Sequence, residues 1–463
     1  MSQKPQTNLS RVDKLRVDRD QLSPEESRVG RAAGVPGIVV GEDAATSEYL
    51  QIALLTAVNL ARKSFNAPVP VQAPKCVWEA ICLTALGGQE RLGAALLEIG
   101  AFEASIRETA LCLLIGNGPL VPRSLRLTFD GWLIGVGPSS SMPRMQERPF
   151  CTLAAIAAAA IGVGEAFSHW AGINVAATRQ DIKLSLWRPD LSADDPKSIG
   201  NTVQECPESL ELFGLGHLGQ AYLWAIASLP FEDRSKVRLY LCDDDEVELP
   251  NLETGALLTP SDIGKRKSRA LSQWLEKRKF VTKLIERFID EKYRRCSAEP
   301  VIALSGFDNN EARQFLSSAG FDLLIDSGLG GEATNFDSVS VRAWPQDKDA
   351  STLWPLEDDL AREKREAKQR ERIASNSAYE DLAPDECGRL LVTGKAVAVP
   401  FVGAIASVLV LAEVLRACNG VATFNDLRVR VCSMTDRPLP VSPSNSEAPP
   451  VRGLKLVELR KST

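Results

Sequence analysis

Histidine is the scarcest chemically versatile residue in this 463-residue chain, which holds only His169 and His217. A histidine-based triad and a mixed Cys/His zinc site therefore have no support, and the ten cysteines include no C-x-x-C pair to build a zinc ribbon. A basic stripe is also missing. Fifty-four Lys+Arg against 60 Asp+Glu leave a net charge of −6, which speaks against a phosphate-backbone binder, so no nucleic-acid partner is expected. Two apolar runs, 151–167 and 401–415, fall short of the ~20 residues that span a bilayer, and each carries a Glu near its end. They read as buried helices, with no membrane partner. The N-terminus lacks the apolar core of a secretory signal, so a reducing cytoplasm is expected, where cysteines serve as core residues or nucleophiles.

What is present is the composition of a globular protein, 44% hydrophobic and 25% charged, at a length that suits two domains. Residues 1–40 are polar and read as a flexible N-terminal segment. Residues 41–200 mix helical periods, from Ser47, at 76–85, at 90–113 and at 151–168, with strands near 110–120 and 125–137; they carry no phosphate-binding signature. LSADDPKSIGNTVQECPE (191–208) reads as a boundary. Over 201–436 strands and helices alternate, as in a parallel, doubly wound α/β sheet. Within that stretch 282–294 reads as helical, and the charged run 356–375 as a solvated helix. Residues 437–463 form a Pro/Ser-rich tail. An internal echo links PFCTLAAIAAAAIGVGEAF (149–167) to PFVGAIASVLVLAEVL (400–415). It marks either a duplicated domain or two buried helices that look alike.

The chemistry begins at FGLGHLGQ, where Gly214, Gly216 and Gly219 form G-x-G-x-x-G between a strand and a helix. That setting suits a turn whose backbone amides face a phosphate. Asp243 ends the next strand, 24 residues past Gly219, where such folds place an acid on ribose hydroxyls. Three further motifs follow: DDDEVELPNL (243–252), GKRK (264–267) and DNNEAR (308–313).

In this order and at this spacing they resemble the adenylating enzymes of the ThiF/MoeB and ubiquitin-activating superfamily, over residues 210–416. The resemblance implies a Rossmann-like ThiF-type adenylation domain preceded by a divergent, inactive adenylation-like domain, a pseudo-dimer within one chain that is consistent with a monomer. It implies ATP and Mg²⁺ as cofactors. Gly214, Gly216 and Gly219 would face the phosphates, Asp243 the ribose, and Asn251 and Lys267 the triphosphate, with Lys265 as a further phosphate ligand. Asp308 would bind Mg²⁺, assisted by Asp245. Cys387, in an inserted region of about 350–399 and shortly before a Pro-led helix, stands where thioester-forming relatives place a nucleophile, although Asp385 and Glu386 disfavour a thiolate there. The partners implied are a ubiquitin-like protein, through its C-terminal tail, and a ubiquitin-conjugating-type enzyme. The compact two-part plan is similar to activating enzymes of bacterial ubiquitin-like conjugation operons, some linked to phage defence.

The pattern departs from the family once. Thr254 stands where relatives carry an arginine, and Arg28 or Arg31 is the expected substitute from the other half of the pseudo-dimer. The zinc-binding cysteine pairs of MoeB-like relatives are absent as well. The alternatives are a sulfur-carrier adenylyltransferase that stops at the adenylate, a catalytically weak scaffold, and a nicotinamide dehydrogenase, for which GKRK and DNNEAR would have no role.

Overall fold

A computed structural model describes residues 9–106, 110–379, 382, 386–443 and 451–460, without the side chains of residues 386, 387 and 443. Two mixed sheets dominate. The first contains β1 (Gly37–Val40), β2 (Val69–Gln72), β3 (Ala101–Glu103), β4 (Cys112–Ile115), β5 (Ser124–Asp130), β6 (Leu133–Pro138) and β7 (Ile182–Ser185), in the order β3-β2-β1-β4-β5-β6-β7. β8 (Glu205–Pro207) belongs to a small ribbon. The second sheet contains β9 (Ser209–Phe213), β10 (Arg238–Cys242), β11 (Val281–Ile285), β12 (Ile302–Ser305), β13 (Leu323–Leu329), β14 (Ser338–Trp344), β15 (Phe424–Arg430) and β16 (Val441–Pro443). Its order is β11-β10-β9-β12-β13-β14-β15-β16. β17 (Leu456–Glu458) pairs with β8.

The two sheets share one plan. In each, five strands are parallel, the crossover direction reverses beside the first strand, and the next strands return antiparallel. The echoing segments are the helices Thr152–Ala171 and Pro400–Cys418, each placed between the sixth and seventh strand of its sheet. Their glutamates do equivalent work. Glu165 accepts the amide of Thr178 at 2.7 Å and Glu413 that of Phe424 at 2.9 Å, each tying its helix to the returning chain.

The two helices have 20 and 19 residues, so they are longer than the apolar runs suggested, yet they are almost wholly buried inside the protein. They pack on each other and on the helices Glu48–Phe65 and His217–Ser228, so a helical layer lies between the sheets. Phe167 and Phe401 meet across it with ring centroids 5.4 Å apart. A hydrogen bond from Trp224 Nε1 to Thr56 Oγ1 (3.0 Å) crosses the same layer.

Three expectations need correction. The N-terminal segment read as flexible forms the helices Lys14–Asp20 and Pro24–Ala33 from residue 14 onward, with Leu9, Val12, Leu15 and Val17 buried. Its charges are absorbed locally: Lys14 pairs with Asp18 (2.5 Å), and the buried Arg31 pairs with Asp13 (2.9 Å). Residues 282–294, read as a helix, instead complete β11 and continue without a helix, because the apolar positions of an edge strand such as Leu284 and Ile285 can fall by chance at helical spacing. Among the described residues, 76–113 hold only short helical pieces, Lys75–Trp78 and Leu92–Glu98, followed by β3. The charged helix Asp359–Ser375 is solvated as expected, with no buried residue. The tail adds β16 to the main sheet and β17 to the ribbon.

Candidate active site

A cleft of about 730 Å³ opens at the carboxyl ends of β9, β10 and β12, where the strand order reverses. Open α/β sheets place ligands at this switch point. The glycine turn forms one wall. Gly214 has φ +77°, a left-handed conformation that favours glycine, and a methyl at Gly219 would sit 2.3 Å from the Gly214 carbonyl. Gly219 thus allows the helix to pack on the turn, whereas no protein atom lies within 4 Å of a methyl at Gly216. Gly216 lacks a packing reason inside the protein and lies on the cleft wall, at the N-cap of the helix His217–Ser228.

Asp243 is buried at the end of β10 and braces the glycine turn. Its Oδ2 accepts the amide of Leu215 at 2.6 Å and its Oδ1 that of Asp245 at 2.9 Å. Burial pushes its carboxyl up, while the Lys267 ammonium, 3.9 Å away, and the two amides act the other way. Lys267 is buried at the start of the helix Lys267–Glu276 and is held by Asp245 at 2.6 Å. Asn251 also lines the cleft, but its Oδ1 accepts the amide of Glu248 (2.8 Å), so its NH₂ end remains for a ligand. Lys265 does not line it. Its ammonium pairs with Asp262 at 2.9 Å outside the cleft wall, because the turn before the helix points it away.

Asp308 lies on the opposite wall, after β12. The helix that follows, Asn310–Ser317, is capped by Asn309, whose Oδ1 accepts the amide of Ala312 at 2.8 Å. Asp308 has no capping duty and makes no hydrogen bond among the described residues. Arg313 of the same motif is structural: it reaches Asp326 (3.0 Å), Asn310 (3.0 Å) and the Phe307 carbonyl (2.6 Å), and so clamps the loop to β13. Asp243, Asp244 and Asp245 also bring ligand oxygens within 4.8 Å of one another. Asp243 is engaged by backbone amides and Asp245 by Lys267, whereas Asp308 makes no such bond among the described residues and is a hard oxygen ligand available to a divalent cation.

An arginine does line the cleft, but it is not one of those expected. Thr254 is buried, with its hydroxyl donating to the Pro250 carbonyl (3.1 Å), and it faces the helical layer rather than the cleft. Arg28 is exposed and paired with Glu25, and Arg31 is buried on Asp13; neither lines the cleft. Arg11 does. Its Nε donates to the Ala396 carbonyl at 2.9 Å, and its carbonyl accepts the amide of Ala398. Burial lowers the pKa of Arg11 and Asp308 opposes that shift, so the two charges are in electrostatic reach across the cleft. Ser10 and Arg31 anchor the same arm on Glu253, one residue before Thr254.

Cys387 falls in the first turn of the helix Glu386–Gly394, and its side chain lies outside the described residues. The surrounding segment touches the arm. Leu9, Val17, Ala378, Tyr379 and Val392 form a small core of their own, and Asp18 binds Lys14, the Tyr379 hydroxyl and Arg372. Gly330 and Gly331 also line the cleft. A methyl at Gly330 would lie 1.8 Å from the Asn335 carbonyl, so this glycine is required by the turn itself.

The corresponding place in the first sheet is closed. After β1 the chain reads GEDAAT and makes a short 3-10 turn. The Asp43 carboxylate accepts the amide of Asn117 (3.1 Å) and pairs with Arg144 (2.5 Å), which sets a negative charge where the second sheet has its glycine turn.

Family models for the BilD N-terminal domain and the BilD C-terminal domain match residues 37–186 and 206–421. The chain belongs to the BilD family. A curated BilD-family relative, the bacterial E1-like protein BilD of Collimonas sp. (strain OK412), is 32% identical over 437 residues, 93% of each chain. The E1-like relation expected from the four motifs holds for this BilD-family chain. Looser matches include a crystal structure of E. coli MccB with MccA-N7isoASN, 16% identical with a TM-score of 0.33 over 53% of this chain and 66% of that one. PaaA matches at 19% identity and a TM-score of 0.23, over 29% of this chain and 40% of that one. At those scores neither carries an argument about chemistry.

Proposed function

We propose that this protein adenylates the C-terminal carboxylate of a ubiquitin-like protein with ATP and passes the acyl group through Cys387 to a conjugating-type enzyme in the cytoplasm. One observation carries the first step: a glycine turn, Asp243, Lys267, Asp308 and Arg11 converge on one cleft at the switch point. A carboxylate oxygen attacks the α-phosphorus, the bond from that phosphorus to the bridging oxygen breaks, and pyrophosphate leaves. Two anions must approach each other, so fixed cations aimed into a desolvated cleft lower the barrier most. Lys267 and Arg11 are such cations, and both line the cleft. Asp243 holds the turn that presents the Gly216 backbone. Asp308 is positioned to hold Mg²⁺, which would neutralise phosphate charge.

In the second step the Cys387 thiolate attacks the acyl carbon and AMP departs. The cysteine's place beside the Arg11 arm supports this reading. The first half serves as an inactive partner whose arm completes the cleft, in keeping with the closed site around Asp43. Modifier-dependent exchange of labelled pyrophosphate into ATP tests the first step. Exchange that persists in Lys267→Ala together with Asp308→Ala would sink it. A reducible adduct that survives Cys387→Ala would remove the second step and leave an adenylyltransferase.

A further inference from the structure

The face of the second sheet beside the cleft has no counterpart in the first. On β14, Ser338, Ser340 and Arg342 alternate with buried Val339, Val341 and Ala343. Opposite them on β15 stand Arg430, Arg428 and Asp426. The helix Pro400–Cys418 packs on this part of the sheet, as Thr152–Ala171 packs on β5 and β6 of the first. In the first sheet the other face is covered as well. The Arg126 guanidinium donates to the Met142 carbonyl (3.2 Å), the Thr128 hydroxyl accepts the Met145 amide (2.9 Å), and a methyl on Gly135 would strike Met145. The chain's own 142–147 segment closes it.

In the second sheet residues 350–354 cover only one end, where Trp354 reaches Asp326 (3.1 Å) and Arg342 donates to the Leu353 carbonyl (3.1 Å). Beyond that end, among the described residues, a groove of about 700 Å³ stays open between β14, β15 and residues 433–440. It shares Arg313, Leu329 and Gly330 with the cleft, so the two are continuous. Its charge is one-sided. Among the described residues, five arginines line it and no Asp or Glu does, in a chain whose net charge is −6. Arg313, Arg428 and Arg430 are neutralised by Asp326, Asp426 and Asp337, whereas Arg342 and Arg437 have no carboxylate partner among the described residues.

We infer that this groove is the docking surface for an acidic, extended stretch of the polypeptide whose terminal carboxylate enters the cleft. The inference rests on the adenylation reading and names the chemistry of its substrate. Guanidinium groups on a pleated sheet face offer forked donors to carboxylates, and the hydroxyls of Ser338 and Ser340 lie between them. The passage at Leu329 and Gly330 lets the chain's end continue toward Asp308 and Lys267.

Fluorescence anisotropy with two labelled peptides tests it on the full chain. One alternates Glu and Thr and ends in Gly-Gly; the other has Lys in place of Glu. The acidic peptide should bind at least about tenfold more tightly than the basic one, weaken at high salt, and lose about tenfold with R428E/R437E. ATP binding by that variant should match the parent. Equal binding of the two peptides, no binding of the acidic one, or unchanged binding by R428E/R437E overturns the docking surface. So does a dimer that R428E/R437E converts to a monomer in sedimentation, which would assign the face to a second copy. Peptide binding that persists while neither form binds ATP would instead remove the adenylation reading and leave the groove.

Discussion

Lys267 and Arg11 carry most of the electrostatic work assigned to the cleft, and they are held differently. Lys267 is locked by Asp245 at 2.6 Å, whereas Arg11 hangs on one carbonyl contact from a separate arm. Removing a fixed charge aimed at a transition state costs on the order of 10²–10³ in rate. Arg11→Ala should therefore lower pyrophosphate exchange by about two orders of magnitude, while Arg28→Ala leaves it unchanged; steady-state exchange rates check both. Among single carboxyls, Glu165 and Glu211 stand out because burial raises each to about 7. A folded-state pKa above the unfolded value adds stability below pH ~4.5 and loses it as pH climbs through about 7, with each tenfold difference in proton affinity between the folded and unfolded states worth roughly 1.4 kcal/mol. Glu165→Gln should thus gain melting temperature relative to the parent between pH 5 and pH 8, measured by thermal scans at both.

At the level of elements, the arm 9–20 shares a small core with residues 376–379, 382 and 388–398. Asp18 is the hub: its side chain is 2% exposed and takes hydrogen bonds from Lys14, Arg372 and Tyr379. Loosening it should shift Arg11 without touching the cleft walls. Asp18→Ala is expected to reduce exchange, and Asp18→Ala with Arg11→Ala to be no worse than Arg11→Ala alone. Additive losses in that double-mutant cycle would show that Asp18 acts only through stability. The glycine turn, the strand ends and the helix start at Lys267 were legible because each motif sits at a sheet-helix junction whose local sequence dictates it. The arm was not legible, since its polar helices bury charge by pairing, and composition counts those charges as solvated.

Across the whole molecule, two sheets that share one order over seven strands pack through a common helical layer, so neither half presents its apolar helices to water. Phe401 is fully buried in that layer against Phe167. Phe401→Ala should cost roughly 3–5 kcal/mol and, because the layer is shared, unfold both halves in one transition. Two separated calorimetric transitions in this variant would show instead that the halves are independently stable. The shared plan suits the proposed site, to which the second sheet brings the turn and carboxylates and the segment ahead of the first sheet brings Arg11.

By itself the sequence determined the parallel α/β character of residues 201–436, the order of the four motifs and the identities of Asp243, Lys267 and Asp308 as cleft residues. These follow from local rules, in which a strand end, a glycine turn and a helix start lie within a few residues of one another. Only the tertiary structure decided which arginine faces Asp308, that Lys265 turns away, that Asn309 rather than Asp308 caps its helix, and that one sheet face is open where its twin is covered. Each of those depends on contacts between residues far apart in the chain, such as Arg11 with Ala396, and pairings of that length leave no periodic trace in the sequence.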